Sequence, residues 1–558
     1  MGPSSPPSPS LAKHLSPSTA EAQQHPHGYV DDVDRLAQLG YEQELTRGWS
    51  ALESFGISFS IISICTGITT SFSLGLTNGG PGVMSIGWIC VSFMTMCAEF
   101  VALSMAEVVS AIPSAAGPFA AYCTGWFNFL GQAGVTTAIV FGNATFIATV
   151  AALRGFVITA PRVIGIHAAL LIFAGLVNTV GIRFLGHLNR FSILVHSVGV
   201  FSICVALLAK APTHQTAKEV FATYYDESGW GERASPAFVA LTGILLAQFT
   251  ITGFDASAHM AEETKDAGRA APIGVIMSVG VSTVFGFFYL VSLLFSMQGY
   301  ASTVAPATGQ PVLQIFVDVF GQNGGTAAAA IIIICISLCG TFSVTSNSRM
   351  FYAFSRDRAL FGWFDHVDKR TQVPVRTVWL AVLLAFCLAL PSLGNTTAYV
   401  AVTSIATIGL YISYVLPIAI GLAFDQNRFC AIRGPFHLGA FSRPCAIIAT
   451  GYVIFITVVF CLPTISPVNS QTLNYAPVAV GIVCLWVIIS WFGWARHWFH
   501  GPRQADLTAV DPAEALNSVT NAALKLEPAL IEDKGVVGGG KSDADLAGGA
   551  KVEQVLTK

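Results

Sequence analysis

The sequence predicts an all-α polytopic membrane protein of about twelve transmembrane helices, arranged as a five-plus-five inverted repeat with two additional helices. Three observations predict it. Of 558 residues, 53% are hydrophobic and only 11% are charged, against about 25% charged in a soluble domain, so a soluble fold would lack polar residues for its surface. Apolar stretches of about 20 residues recur from Ala51 to Trp498, each long enough to cross a hydrocarbon core. Two of them, the first and the sixth, are interrupted by polar, glycine-bearing patches at corresponding positions in the two halves.

The expected spans are 54–76, 84–107, 131–153, 163–180, 191–209, 237–260, 273–297, 325–348, 377–394, 398–422, 444–464 and 476–496. Residues 1–48 are rich in Ser, Pro, His and acidic residues, and read as a disordered cytoplasmic tail without the apolar core of a signal peptide. Residues 49–500 form the membrane domain, and 501–558 read as a second disordered cytoplasmic tail. With the amino terminus inside, the loops predicted to be cytoplasmic hold most of the Arg and Lys, including Arg183, Arg190, Lys265, Arg269, Arg349, Arg356, Arg358 and Lys369. The opposite loops hold Arg154, Arg162, Lys210, Lys218 and Arg233, an asymmetry that fits the positive-inside rule.

A net charge of −3 gives no basic balance to call for nucleic acid. Twelve cysteines are present, most inside apolar runs, where they act as small hydrophobes. No CxxC or Cys/His metal spacing appears. Cys335 and Cys339, one helical turn apart, suit packing better than metal capture.

The first span carries Ser63-Ile64-Cys65-Thr66-Gly67-Ile68-Thr69-Thr70-Ser71. Gly weakens a helix interior by about 0.5–1 kcal/mol relative to Ala, and Thr and Ser offer the backbone competing hydrogen bonds. The sixth carries Thr250-Ile251-Thr252-Gly253-Phe254-Asp255-Ala256-Ser257-Ala258-His259, the same combination with an ionisable carboxylate added. In continuous helices these hydroxyls would simply bond back to preceding carbonyls. Their matching positions in two halves favour broken helices, whose freed N–H and C=O groups suit a zwitterion.

At these residues the chain resembles the amino acid-polyamine-organocation superfamily, and within it the amino acid/choline and GABA permease group that includes plant bidirectional amino-acid transporters. The resembling stretches include Phe55-Gly56-Ile57-Ser58-Phe59-Ser60, Thr66-Gly67-Ile68-Thr69-Thr70, Leu103-Ser104-Met105-Ala106-Glu107, Gly253-Phe254-Asp255-Ala256-Ser257-Ala258-His259 with Glu262-Glu263-Thr264, and Thr345-Ser346-Asn347-Ser348-Arg349-Met350. The resemblance implies a leucine-transporter-type fold, with a solute carboxylate at Thr66, Gly67, Ile68 and Thr69 and its ammonium or a gate at Thr252, Gly253, Phe254 and Asp255. After Pro113 the chain departs from the related pattern, reading Ser114-Ala115-Ala116-Gly117-Pro118.

An ionisable residue at the centre of a span costs about 2.5–3.5 kcal/mol on insertion scales, so each needs a reason to be there. Asp255 is the foremost functional candidate. Glu99 suits a buried structural role, and Glu107 a cap or gate at the cytoplasmic end. His196 is a proton-relay candidate that also suits packing. The cluster of Arg349, Arg356, Arg358, Asp357, Asp365 and Asp368 reads first as topology and salt-bridged packing and second as an inward gate; Glu262, Glu263, Lys265 and Asp266 follow the sixth span as its partners, with Glu262 and Arg349 the gate candidates. Ser337, Thr341 and Ser343 offer oxygens for a sodium ion beside the first break; the coupling ion, H+ or Na+, stays open. Asn395-Thr396-Thr397 matches a glycosylation sequon in a very short outer loop.

The function expected is secondary active transport of amino acids or GABA, without cofactor, by a multi-pass protein in the plasma membrane rather than an organelle. A choline or polyamine carrier of the same fold and a non-transporting nutrient receptor are the alternatives. An enzyme is disfavoured, because no HExxH, GxSxG or P-loop spacing occurs.

Overall fold

The computed structural model describes residues 43–111, 113–231, 233–394, 398–424, 441–499 and 501, and of residues 97–111, 113–117, 398, 424 and 442 the backbone alone. They fall within one unit, 1–503; a second, 504–558, lies outside the described residues. The principal helices are α1 (Ala51–Ile62), α2 (Ile64–Thr77), α3 (Gly80–Ala111), α4 (Pro113–Ala152), α5 (Ala160–Thr179), α6 (Ile182–Lys210) and α7 (Pro236–Thr250). They continue with α8 (Ala256–His259), α9 (Ala267–Ser296), α10 (Pro311–Arg356), α11 (Val375–Ala389), α12 (Ala398–Phe424), α13 (Ser442–Cys461) and α14 (Ala476–Gly493). The described strands are β1 (Asn78–Gly79) and β2 (Tyr225–Asp226), which pair antiparallel at the end of α2.

The protein is therefore an all-α polytopic membrane protein. Among the described residues, ten helical segments are long and apolar enough to cross a membrane, with α1 and α2 counted together. Two shorter apolar helices, Gly80–Met96 and Pro236–Thr250, fall where the second and sixth spans were expected. Some helices outrun the expected spans: α4 begins at Pro113 and α10 runs from Pro311 to Arg356. The latter is two helices joined across a kink at Gly321, whose φ of 71° lies in the left-handed region.

Both interrupted helices are broken, and the first breaks earlier than the centre of its polar patch. Ser63 alone leaves the helix, at φ 30°, while Thr66 to Ser71 are helical within α2. A left-handed residue other than Gly costs about 1–2 kcal/mol. Here the Ser63 hydroxyl compensates with contacts to Thr66 Oγ1 at 2.5 Å and His196 Nε2 at 2.9 Å. The second break runs from Ile251 to Asp255 and turns at Gly253, whose φ of 88° suits Gly and whose added Cβ would meet Ile61 Cγ2 at 2.8 Å.

Serines join the two broken helices. Ser58 Oγ of α1 donates to Phe254 O at 2.8 Å and lies 2.6 Å from Ser257 Oγ of α8, and Ser257 Oγ contacts Ser54 O at 2.6 Å. Beyond the breaks the helices cross so closely that a Cβ on Gly67 would lie 2.6 Å from Thr250 Cα. Among the described residues the most extensive helix–helix contact is that of α4 against α12.

Because backbone cannot move aside as a flexible side chain can, Gly67→Ala is expected to destabilise the protein by about 1–3 kcal/mol through overpacking. Gly451→Ala on α13, where no atom lies within 4 Å of the added Cβ, is expected to be neutral. Thermal unfolding of the two purified variants in detergent checks the contrast.

Candidate functional site

The head of α2 is the first half of the site. No side chain caps α2. Thr66 N–H and Gly67 N–H turn back to Ser63 O at 2.7 and 3.3 Å. The N–H groups of Ile64 and Cys65 thus head the helix at the end of its dipole that favours an anion. His196 supports this joint from α6. It sits in a π turn, Val195–Gly199, a widened helical turn that recurs at functional sites. Its Nδ1 lies 2.9 Å from Ser192 O, which places the proton there and leaves Nε2 to accept from Ser63 Oγ.

The residues expected around a carboxylate are distributed along the first turns of α2. Thr66 Oγ1 is engaged by Ser63, Gly67 lies against α7, and Ile68 is fully buried. Thr69 Oγ1 meets Tyr289 OH at 3.0 Å, while its carbonyl accepts from Gln310 Nε2 at 2.6 Å.

The second break supplies a polar cluster. Asp255 Oδ2 is 2.9 Å from His259 Nε2, an i,i+4 pair, and accepts from Gln132 Nε2 at 2.9 Å and Asn128 Nδ2 at 3.5 Å, both on α4. Asn128 also donates to Ser413 Oγ of α12 at 3.1 Å. The Asp255 and His259 side chains keep 12% and 19% of their surface exposed. Beside it Phe254 packs at 4.9 Å from Tyr414 and 6.4 Å from Tyr411, ring centre to ring centre. Thr252 Oγ1 bonds back to Gln248 O at 2.6 Å, and Tyr452 OH of α13 meets the Gln248 side chain.

Beyond α8 the chain is tied by ion pairs. Arg349 Nε is 2.9 Å from Glu263 Oε1, each side chain 1% exposed. Burial pushes the Glu263 carboxyl above its usual range, and the Arg349 guanidinium offsets part of that rise. Arg356 holds both oxygens of Glu262 in a bidentate pair. The segment before α1 is stitched to the same loop: Gly48 N–H and Trp49 N–H donate to Glu263 O, and Arg47 Nη1 donates to Thr264 O at 2.7 Å.

A family model described as amino acid permease matches residues 50–487. The chain belongs to the amino acid permease family. It is 40% identical over 498 residues to the amino-acid permease BAT1 homolog of Oryza sativa subsp. japonica, covering 84% of this chain and 95% of that protein. Amino-acid permease BAT1 of Arabidopsis thaliana is 38% identical with the same coverage. An uncharacterized amino-acid permease of Schizosaccharomyces pombe is 33% identical, covering 86% of this chain and 92% of its own length. Membership makes the chain a multi-pass amino acid transporter and not an enzyme.

In this permease each of the three hydroxyls offered for a sodium ion is hydrogen-bonded within α10 or to a neighbouring helix, Ser337 Oγ donating to Ile333 O at 2.7 Å. Thr341 Oγ1 donates to Ser337 O at 2.8 Å, and Thr345, one turn on, reaches Asn178 of α5; Ser343 Oγ meets Thr136 of α4 at 2.7 Å. The face of α10 toward the first break carries Cys339, whose Sγ lies 3.2 Å from Ile61 O, with Cys335 one turn before it and Ser343 one turn after. Glu99 and Glu107 lie on α3, but their side chains are outside the described residues, as is Asn395-Thr396-Thr397. Sequence reasoning missed Gln132, Asn128 and Ser413, whose helices meet Asp255 only in the fold. The Asp-x-x-x-His spacing of Asp255 and His259 was the one local signal available.

Replacing Glu263 with Gln leaves Arg349 a buried cation without its counter-charge and is expected to cost the permease about 3–5 kcal/mol. The double replacement Glu263→Leu with Arg349→Met is expected to recover much of that loss. Melting temperatures of the single and double variants, measured in one detergent, check it.

Proposed function

We propose that this permease moves small zwitterionic amino acids by alternating access around the two breaks, with the solute carboxylate at the Ile64 and Cys65 N–H groups and its ammonium toward Asp255. The observation that carries the reading is an uncapped helix head at one break and a partly exposed carboxylate at the other, with the two breaks packed so closely that a Cβ on Gly253 would lie 2.8 Å from Ile61 Cγ2. Charge balance supplies a coupling rule. With His259 protonated the Asp255 pair is neutral; with His259 neutral the pair carries −1 and attracts an ammonium. Proton and ammonium therefore compete for Asp255, which favours H+ over Na+ as the coupling ion. His196 serves in this reading as the strut of the first break, since both of its nitrogens face hydroxyl or carbonyl partners.

The Arg349–Glu263 and Arg356–Glu262 pairs act as the cytoplasmic latch, holding the loop after α8 against α10 and the segment before α1. GABA shares the zwitterionic groups and is a substrate to be tested beside the α-amino acids. A choline-type cation is the second reading, favoured by the Phe254, Tyr411 and Tyr414 rings next to Asp255, which suit a quaternary ammonium.

Asp255→Asn keeps the shape and removes the charge. Hydrogen bonds to charged groups contribute about 1.5–3 kcal/mol, so uptake into proteoliposomes is expected to fall about tenfold or more at unchanged expression. His259→Gln is expected to weaken the dependence of uptake on an imposed proton gradient. Undiminished uptake by Asp255→Asn contradicts the ammonium site, and inhibition by choline without inhibition by amino acids selects the second reading.

A further inference from the structure

We propose that Cys65, His196 and Cys335 form a site for a soft metal ion, zinc foremost, that pins the first broken helix to α6 and α10. The two thiol sulfurs and a ring nitrogen of His196 all lie within 4.8 Å of one another, and all three residues are buried. Each comes from a different helix, α2, α6 and α10, so no sequence spacing announces the site.

The donor set and its orientation suit zinc. Thiolate and imidazole are its usual protein ligands, at about 2.3 and 2.0–2.1 Å, and tetrahedral sulfurs on such bonds stand about 3.8 Å apart. Closing from 4.8 Å needs about 1 Å of side-chain adjustment or less. His196 is oriented for the metal once the Ser63 hydroxyl yields: Nδ1–H is anchored on the Ser192 carbonyl, and Nε2, which accepts from Ser63 Oγ without metal, turns its lone pair to the ion when that hydroxyl swings aside. The π turn puts that ring against the break. Displaced from Nε2, to which it lies at 2.9 Å without metal, the Ser63 hydroxyl is the neighbouring group that can complete four-coordination. On binding, the two thiols release their protons, and no oxidant or reductant takes part.

The consequence follows from where the ligands sit. Cys65 is the second residue of α2, directly after the left-handed turn at Ser63. A metal shared by α2, α6 and α10 ties the joint of the first broken helix to two other helices. In this respect the inference rests on the alternating-access reading: a bound ion stops the joint from moving and transport with it.

The test uses the full-length permease, reduced with a non-thiol phosphine and freed of metal by chelation. Cadmium replaces zinc as the probe, because its thiolate bonds absorb in the ultraviolet. One Cd2+ per chain with a thiolate band is expected, and Cys65→Ser or Cys335→Ser is expected to lower the affinity about tenfold or more. Cys461→Ser on α13 is expected to change nothing.

In proteoliposomes, Zn2+ is expected to block most amino acid uptake, with recovery on adding EDTA, while Cys335→Ser transports at the basal rate and resists Zn2+. Cys335→Ala serves as a second variant, with a single size-exclusion peak as the check on folding. A folded permease without the band, or full affinity in both Cys→Ser variants, overturns the site. Cd2+ binding with undiminished uptake overturns the pinning. Absence of uptake by the metal-free protein would instead refute the transport reading, and the cadmium titration still decides the site.

Discussion

Everything that gives this permease a site depends on the left-handed turn at Ser63. A continuous first helix would satisfy its own N–H and C=O groups and present only side chains to the bundle interior. One residue at φ 30° ends α1, restarts α2 and frees the N–H groups at its head inside the bundle. No glycine makes the turn easy; contacts from Thr66 and from His196, on a helix more than 130 positions further along, maintain it. Strain at a single residue held by its surroundings is how functional geometry is commonly stored.

The second break is built differently, and the difference matters for what each half can do. Gly253 turns the backbone at little cost, so the surroundings are free to serve Asp255 rather than the turn. Amides from α4 and the imidazole of His259 converge on that carboxylate. The serine network between α1 and α8 makes the two breaks one mechanical unit. Below it, the buried Arg349–Glu263 pair fixes the loop after α8.

The broken helices were legible in the sequence because glycine and hydroxyl residues inside an apolar run have few other uses, and because the patches recurred at matching places. The position of the first break was not legible. The patch runs from Ser63 to Ser71; Gly67 within it is a close-contact residue against Thr250, and the turn falls on its first serine, whose conformation is set by tertiary partners. Asp255 stood out as a lone carboxylate in a span, while Asn128 and Gln132 looked like any polar residues of a long helix. The oxygens offered for sodium by Thr341 and Ser343 are hydrogen-bonded to Ser337 O and to Thr136, partners that only the folded bundle specifies, and the thiol of Cys339 faces the break beside them. For the same reason Cys65, His196 and Cys335 gave no motif, since three helices contribute one ligand each.

Binding at the two breaks is the central claim, and a structure of the permease with a bound amino acid in nanodiscs tests it most directly. The solute carboxylate is expected within hydrogen-bonding distance of the Ile64 and Cys65 N–H groups, with the ammonium facing the Asp255 side of the second break. A solute lodged away from both breaks, or a first helix that runs unbroken through Ser63 when the amino acid is bound, would contradict the account.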